Sequence, residues 1–168
     1  MKQYIVINTW NGEGYSEHNG NQIEFFDNKI SAERHAELEA TKELVYPVSD
    51  RFNNEEVIHH TFDKDDVTIF SWTSGNDAYE DHGTYQVHPL TKDAYAVMIR
   101  CNVNEVDILT EEQYNNEIEE ISSEFLEDYD SSEKEDYFYY EDNGDLFIQC
   151  FGGQDFDYQF RLIKNIKQ

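Results

Sequence analysis

The chain has 168 residues, 15% of them aromatic, and carries 37 acidic against 12 basic side chains for a net charge of −25. Twelve Tyr and 11 Phe exclude an acidic disordered tail, which is poor in aromatics, and call for a packed core. The negative field disfavours direct nucleic-acid or anionic-membrane binding and favours basic partners.

In chain order, Tyr4 to Ile7 is a short apolar run that reads as a buried strand. WNGEGYSEHNGN follows as a long turn, and Gln22 to Phe26 returns as a second strand. Ser31 is the expected N-cap of a helix over about 31–44, whose stripe of Ala32, Ala36, Ala40 and Leu44 is small enough for close packing on a sheet. Val57 to Phe62 and Val67 to Trp72 read as strands joined by the acidic turn DKDD. TSGNDAYEDHG reads as a polar loop leading to a strand near Tyr85 and Val87, and AYAVMIRC (Ala94 to Cys101) as a further strand.

Val106 to Leu109 feeds a helix over about 110–128, where Thr110 and Gln113 fit a capping box. Tyr114, Ile118, Ile121 and Phe125 recur at helical spacing and predict one narrow apolar face. DYFYYEDNGDLFIQCF reads as a hairpin turning at Asn143-Gly144, and Phe156, Tyr158, Phe160 and Leu162 alternate with polar residues as in an antiparallel strand. The sum is α+β: antiparallel sheet with two main helices. We expect a single acidic domain over 1–168, with a two-lobed division into 1–100 and 101–168 as the alternative. Tyr-Glu-Asp-x-Gly occurs twice, from Tyr79 and from Tyr140, each time expected ahead of a strand. Repeated turn chemistry explains this better than an internal duplication.

No motif names a chemistry. Gly12-Glu13-Gly14 follows a strand, but it lacks the third glycine and the helix of a dinucleotide loop, and its glutamate would repel phosphate, so a hairpin turn is expected. The six histidines (His18, His35, His59, His60, His82 and His88) show no His-x-x-x-His spacing, and neighbours such as His59 and His60 point to opposite faces of a strand. Asp128, Asp130 and Ser132 match the first three ligand positions of an EF-hand loop, but Glu133 stands where glycine is needed. There is no Gly-x-Ser-x-Gly, and with 37 acids no carboxylate pair can be singled out for hydrolysis. We expect no metal, no cofactor and no catalysis. Cys101 and Cys150 give no disulfide framework, MKQYIVINTW is too short for a signal peptide, and no segment reaches transmembrane length. The expectation is a cytoplasmic protein.

Charge is the one strong functional signal, and it is regional. Glu105 to Asp145 holds 17 acids and one lysine, a net of −16, leaving −9 for the other 127 residues. At 100° per residue, Glu117, Glu120, Glu124 and Glu127 share one flank of the apolar stripe. Like charges three or four residues apart cost about 0.2–0.5 kcal/mol per pair. Anions at a helix C-terminus, here Glu124, Glu127 and Asp128, cost about 0.3–1 kcal/mol each. A solubilising coat would intersperse lysines and gain stability from the pairs.

From Glu117 to Glu127 is about 15 Å at 1.5 Å per residue, with anions stepping along it somewhat as phosphates do along a DNA strand. Size and composition resemble those of the small acidic DNA-mimic proteins that phages and mobile elements use against restriction and other defence systems. The likeness lies in charge and length, without a shared motif. It implies an inhibitor that presents Glu117, Glu120, Glu124, Glu127, Asp128 and Asp130 to the basic groove of a DNA-binding protein. An immunity protein against a basic nuclease toxin, or an acidic interaction domain without inhibitory role, would share these electrostatics.

Overall fold

The computed structural model describes residues 3–12, 20–45, 60–64, 66–76, 79–128, 137–149 and 156–166. The chain divides into two compact units, Met1–Thr91 and Lys92–Gln168.

The first unit is a five-stranded antiparallel sheet carrying one long helix. Its strands are β1 (Gln3–Gly12), β2 (Gly20–Phe26), β3 (His60–Lys64), β4 (Val67–Asn76) and β5 (Tyr79–Leu90), in the spatial order β2-β1-β5-β4-β3. Between β2 and β3 runs α1 (Lys29–Val45). The alanine stripe does what its size suggests. Ala32, Ala36 and Ala40 are 0% exposed, packed against Tyr4, Val6, Phe70, Trp72, Tyr85 and Val87 of the sheet. On β1 the alternate residues Ile5 and Ile7 are fully buried as well, which explains why this strand reads as a continuous apolar run.

Several expectations for this unit are corrected. The cap of α1 is Asn28, not Ser31. The Asn28 side-chain oxygen accepts from the Ser31 N–H at 2.9 Å, so Ser31 already lies in the first turn. The strand expected over 57–62 is β3, which runs on through Asp63 and Lys64, paired with Thr68 and Val67; residues 57–59 lie outside the described residues. Asp66, at φ 66°, turns the chain there. The segment read as a polar loop, 73–83, is the far end of a long hairpin in which Thr73 pairs with His82 and Asn76 with Tyr79. Gly83 serves close packing rather than a turn. It pairs with both Trp10 and Trp72, and a Cβ there would stand 2.5 Å from the Thr9 carbonyl oxygen and 2.7 Å from the Trp72 indole. β1 and β2 form an antiparallel pair from Tyr4–Phe26 to Trp10–Gly20, as the hairpin reading of Gly12 requires; residues 13–19 lie outside the description.

The second unit repeats the theme with different parts. Its strands are β6 (Ala96–Arg100), β7 (Glu105–Leu109), β8 (Phe138–Tyr140), β9 (Leu146–Ile148) and β10 (Tyr158–Leu162), in the antiparallel order β7-β6-β10-β9-β8. α2 (Glu111–Asp128) follows β7, and the short α3 (Ile163–Ile166) follows β10. A 3₁₀ turn at Cys101–Val103 ends in the left-handed conformation at Asn104, and so joins β6 to β7. The core sets Ile121 and Phe125 of α2 against Met98, Leu109, Phe138, Leu146, Ile148 and Phe160, with Tyr114 and Ile118 packed on it.

The β8–β9 hairpin forms, but its turn is not the two-residue Asn143-Gly144 type. Glu141 still pairs with Asp145, the Gly144 N–H donates to the Glu141 carbonyl at 2.9 Å, and only Gly144 takes positive φ (+90°). The loop is therefore the three residues Asp142–Gly144. A two-residue type I′ turn would need positive φ at Asn143 too. The architecture is α+β, with two antiparallel sheets.

Candidate functional site

The N-terminus of α2 is fixed by its capping box. The Thr110 N–H donates to Gln113 Oε1 at 2.9 Å and the Gln113 N–H to Thr110 Oγ1 at 3.3 Å. Rotation about the helix axis is then set by rings. Tyr114 meets Tyr95 and Phe160 with centroids 5.2 and 5.6 Å apart, and Phe125 meets Tyr137 and Phe138 at 5.0 and 5.6 Å. Burial, then the Tyr140 and Tyr95 phenols and Asp145, push the Tyr114 hydroxyl up to about 12, so it packs as a neutral group. With these rings facing the sheet, the carboxylate flank lies along one side of the buried stripe.

Glu120, Glu124 and Glu127 are exposed. Glu117 is different. It is half-buried, its carboxylate 3.9 Å from Nη2 of Arg100 at the end of β6. The other terminal nitrogen of Arg100 stands 2.9 Å from Asp107 and 3.3 Å from Glu105, both on β7. The helix flank thus adjoins two exposed acids of an edge strand, and one guanidinium lies between the two elements. Asp128 is the last residue of α2, and Asp130 lies outside the described residues.

Sequence reasoning took Glu105 and Asp107 only as part of the charge total. Their alternation in Glu105-Val106-Asp107 places both on one face of a strand, but that this face meets α2 depends on tertiary packing. Arg100 was not singled out at all, since nothing local links it to a residue 17 positions on.

One member of the acidic region is spent on the fold. Asp145 is 0% exposed. Its carboxylate accepts from Arg161 Nε at 2.8 Å, the Leu162 N–H at 2.8 Å, and the amides of Asn165 and Asn143 at 3.0 and 3.3 Å. Burial alone would raise its pKa, but the Leu162 N–H, the Arg161 guanidinium and the Asn165 amide together hold it below the ordinary carboxylate value. With its oxygens saturated by donors, Asp145 is a structural hub of the β8–β9 turn rather than a free acid or base.

Elsewhere some buried polar groups are linked to one another, whereas Asn8 Oδ1, Trp72 Nε1 and Ser122 Oγ are buried with no hydrogen-bond partner among the described residues. On β1 and β5, Thr9, Thr84, Gln86 and His88 make a chain of side-chain hydrogen bonds of 3.0–3.1 Å. Among the described residues, no group of three or more His, Cys, Asp or Glu is placed to hold a metal ion, and no helix is long and apolar enough to cross a membrane. The chain matches no protein-family model, no curated protein and no solved structure at a significant level.

Proposed function

We propose that this protein inhibits a DNA-binding protein by occupying its DNA site, and that it does so without catalysis. The reading is that of a phage or mobile-element factor acting in the host cytoplasm against a restriction or other nucleic-acid-processing enzyme. The observation that carries it is the row Glu120, Glu124 and Glu127, exposed on a helix that contains eight acids and no basic residue. Folding gains nothing from that row, so its benefit is sought in binding. Successive members are about 4.5–6 Å apart along the axis, coarser than the about 3.4 Å axial step of phosphates on one DNA strand but within reach of the same lysines and arginines. Glu105 and Asp107 broaden the anionic face beside the row. Such a surface steers a basic groove toward it over roughly a Debye length, about 8 Å at physiological ionic strength.

The test is displacement. Purified DNA-binding proteins, including a type I and a type II restriction endonuclease, a helix-turn-helix repressor and a histone-like architectural protein, are loaded with fluorescein-labelled duplex and titrated with the chain. Release of duplex from at least one, steeply weakened by salt and lost in E117Q/E120Q/E124Q/E127Q, is expected. If a pull-down from the native host yields a basic nuclease that binds tightly while DNA fails to compete, a specific immunity protein replaces the mimic.

A further inference from the structure

We infer that Asn143 is a spontaneous modification site gated by the fold: the closed β8–β9 turn keeps its side-chain amide intact, opening of the turn lets it deamidate, and the product no longer fits the turn. This chemistry is independent of any partner that α2 meets.

An asparagine followed by glycine deamidates readily because no side chain shields the glycine nitrogen. Hydroxide takes the proton from the Gly144 N–H, and that nitrogen attacks Asn143 Cγ. The N–Cγ bond forms, the Cγ–Nδ2 bond breaks, and the leaving nitrogen takes up a proton from water and departs as ammonia. Water then opens the five-membered imide at either carbonyl, giving aspartate or isoaspartate at position 143. Net, one water is consumed and one ammonia released, and nothing is oxidised or reduced.

The closed turn opposes each part of this sequence. The Gly144 N–H donates to the Glu141 carbonyl at 2.9 Å, so the proton to be removed is engaged. The Asn143 side chain is held at both ends: Oδ1 accepts from the Asp145 N–H at 2.8 Å, and Nδ2 donates to Asp145 Oδ2 at 3.3 Å. Its backbone carbonyl accepts from Asn165 Nδ2 at 2.9 Å. Glu141, Asp142 and Asp145 all lie within two residues of it, and their field disfavours both the amide anion and the oxyanion that follows. Asn143 is nonetheless exposed, so water and hydroxide reach it once these bonds release.

Neither product restores the turn. Aspartate puts a carboxylate where the amide donates to Asp145 Oδ2, so a donor facing a fully buried anion becomes a second anion. Isoaspartate lengthens the backbone between Glu141 and Gly144 by one carbon and upsets the spacing of the bond that joins them. An opening of the hairpin is thereby recorded in one direction only.

The experiment incubates wild type, N165A and D145A at pH 8 in native buffer, and wild type also in urea that unfolds it. Peptide mapping by mass spectrometry follows Asn143 separately from Asn11 and Asn19, the other asparagines that precede glycine. Deamidation at 143 should be at least about tenfold slower in native wild type than in urea, since its rate scales with the population of open hairpin. N165A removes the bonds to the Asn143 carbonyl and to Asp145 while leaving the Arg161–Asp145 pair, and should speed the native reaction about two- to fivefold. D145A also releases the Asn143 amide and should exceed N165A. N143D should lower the thermal midpoint by a few degrees, and by much less in the D145A background, because its added charge acts on Asp145. Equal rates in native buffer and urea, or an N165A rate equal to wild type, overturn the gating. No deamidation at 143 in urea overturns the site itself, and N143D as stable as wild type overturns the exclusion of the product from the turn.

Discussion

α1 and α2 are nearly equal in length, 17 and 18 residues, and each packs on a five-stranded antiparallel sheet, yet they handle charge in opposite ways. α1 mixes Glu33, Glu37, Glu39 and Glu43 with Lys29, Arg34 and Lys42. Lys29 pairs with Glu33 one turn on at 3.7 Å and with Asp66 at 2.9 Å, and Lys42 pairs with Glu39. Its carboxylates also reach the sheet. Glu33 accepts from the Thr68 hydroxyl at 2.7 Å and Glu43 from the Tyr85 hydroxyl at 3.0 Å, and burial followed by Glu43 pushes the Tyr85 phenol well above its usual range. α2 carries eight acids and no base, and the ion pair it makes among the described residues is the one through Arg100. A whole-protein demand for solubility would have shaped both helices alike. The charge is local, which argues that something local uses it.

The sharpest break in this comparison contrasts acids within the second unit. D145A should cost about 2–4 kcal/mol, because it removes the carboxylate that accepts from Arg161 and from the Leu162 N–H; a fully buried pair would lose more, but Arg161 remains 32% exposed. Hydrogen exchange at β9 and β10 should report the loss. The same residue sets an acid limit. Its folded-state pKa is depressed, so its stabilisation is fully present above the unfolded value of about 4 and disappears as pH falls through the folded value. Urea titrations at pH 7 and pH 3 should show a gap between wild type and D145A that narrows at the lower pH.

Next in size, A36L should destabilise the first unit by about 1–3 kcal/mol, since the Ala36 site is fully buried against the sheet and has no room for three more carbons. A urea midpoint equal to wild type would show that α1 can lift off the sheet, and would end the claim that small residues set its distance.

In the opposite direction, E120Q/E124Q/E127Q should stabilise the protein by about 1–2 kcal/mol, through relief of like-charge neighbours and of anions at the helix C-terminus. A lower thermal midpoint would mean that these carboxylates serve the fold after all, and the functional contrast between the helices would collapse. The smallest effects should be alike at the two helix starts. N28A and T110A each remove a cap and should cost about 1 kcal/mol, read as a few degrees in the thermal midpoint.

How much of this was legible beforehand depends on the range of the interaction involved. The capping box at Thr110, the stripe from Tyr114 to Phe125 and the alanine stripe of α1 follow from contacts within four residues of each other, and the chain alone determined them. The glutamate row of α2 is a consequence of the same 3.6-residue period.

The repeated Tyr-Glu-Asp-x-Gly shows where local information ends. From Tyr79 it lies inside β5, where Gly83 admits the Trp72 ring, and from Tyr140 it forms the β8–β9 turn, where Gly144 takes positive φ. The same five-residue pattern takes two conformations because the strands they meet differ: β1 and β4 flank the first, whereas Arg161 and Leu162 draw in the residue after the second. Tertiary structure alone decided that Asp145 is an internal hub while its acidic neighbours Glu141 and Asp142 are exposed, and that Arg100 lies between β7 and α2. Composition counts a carboxylate as one negative charge wherever it stands, but burial and the donors within 3 Å decide whether that charge holds the fold together or remains available to a partner.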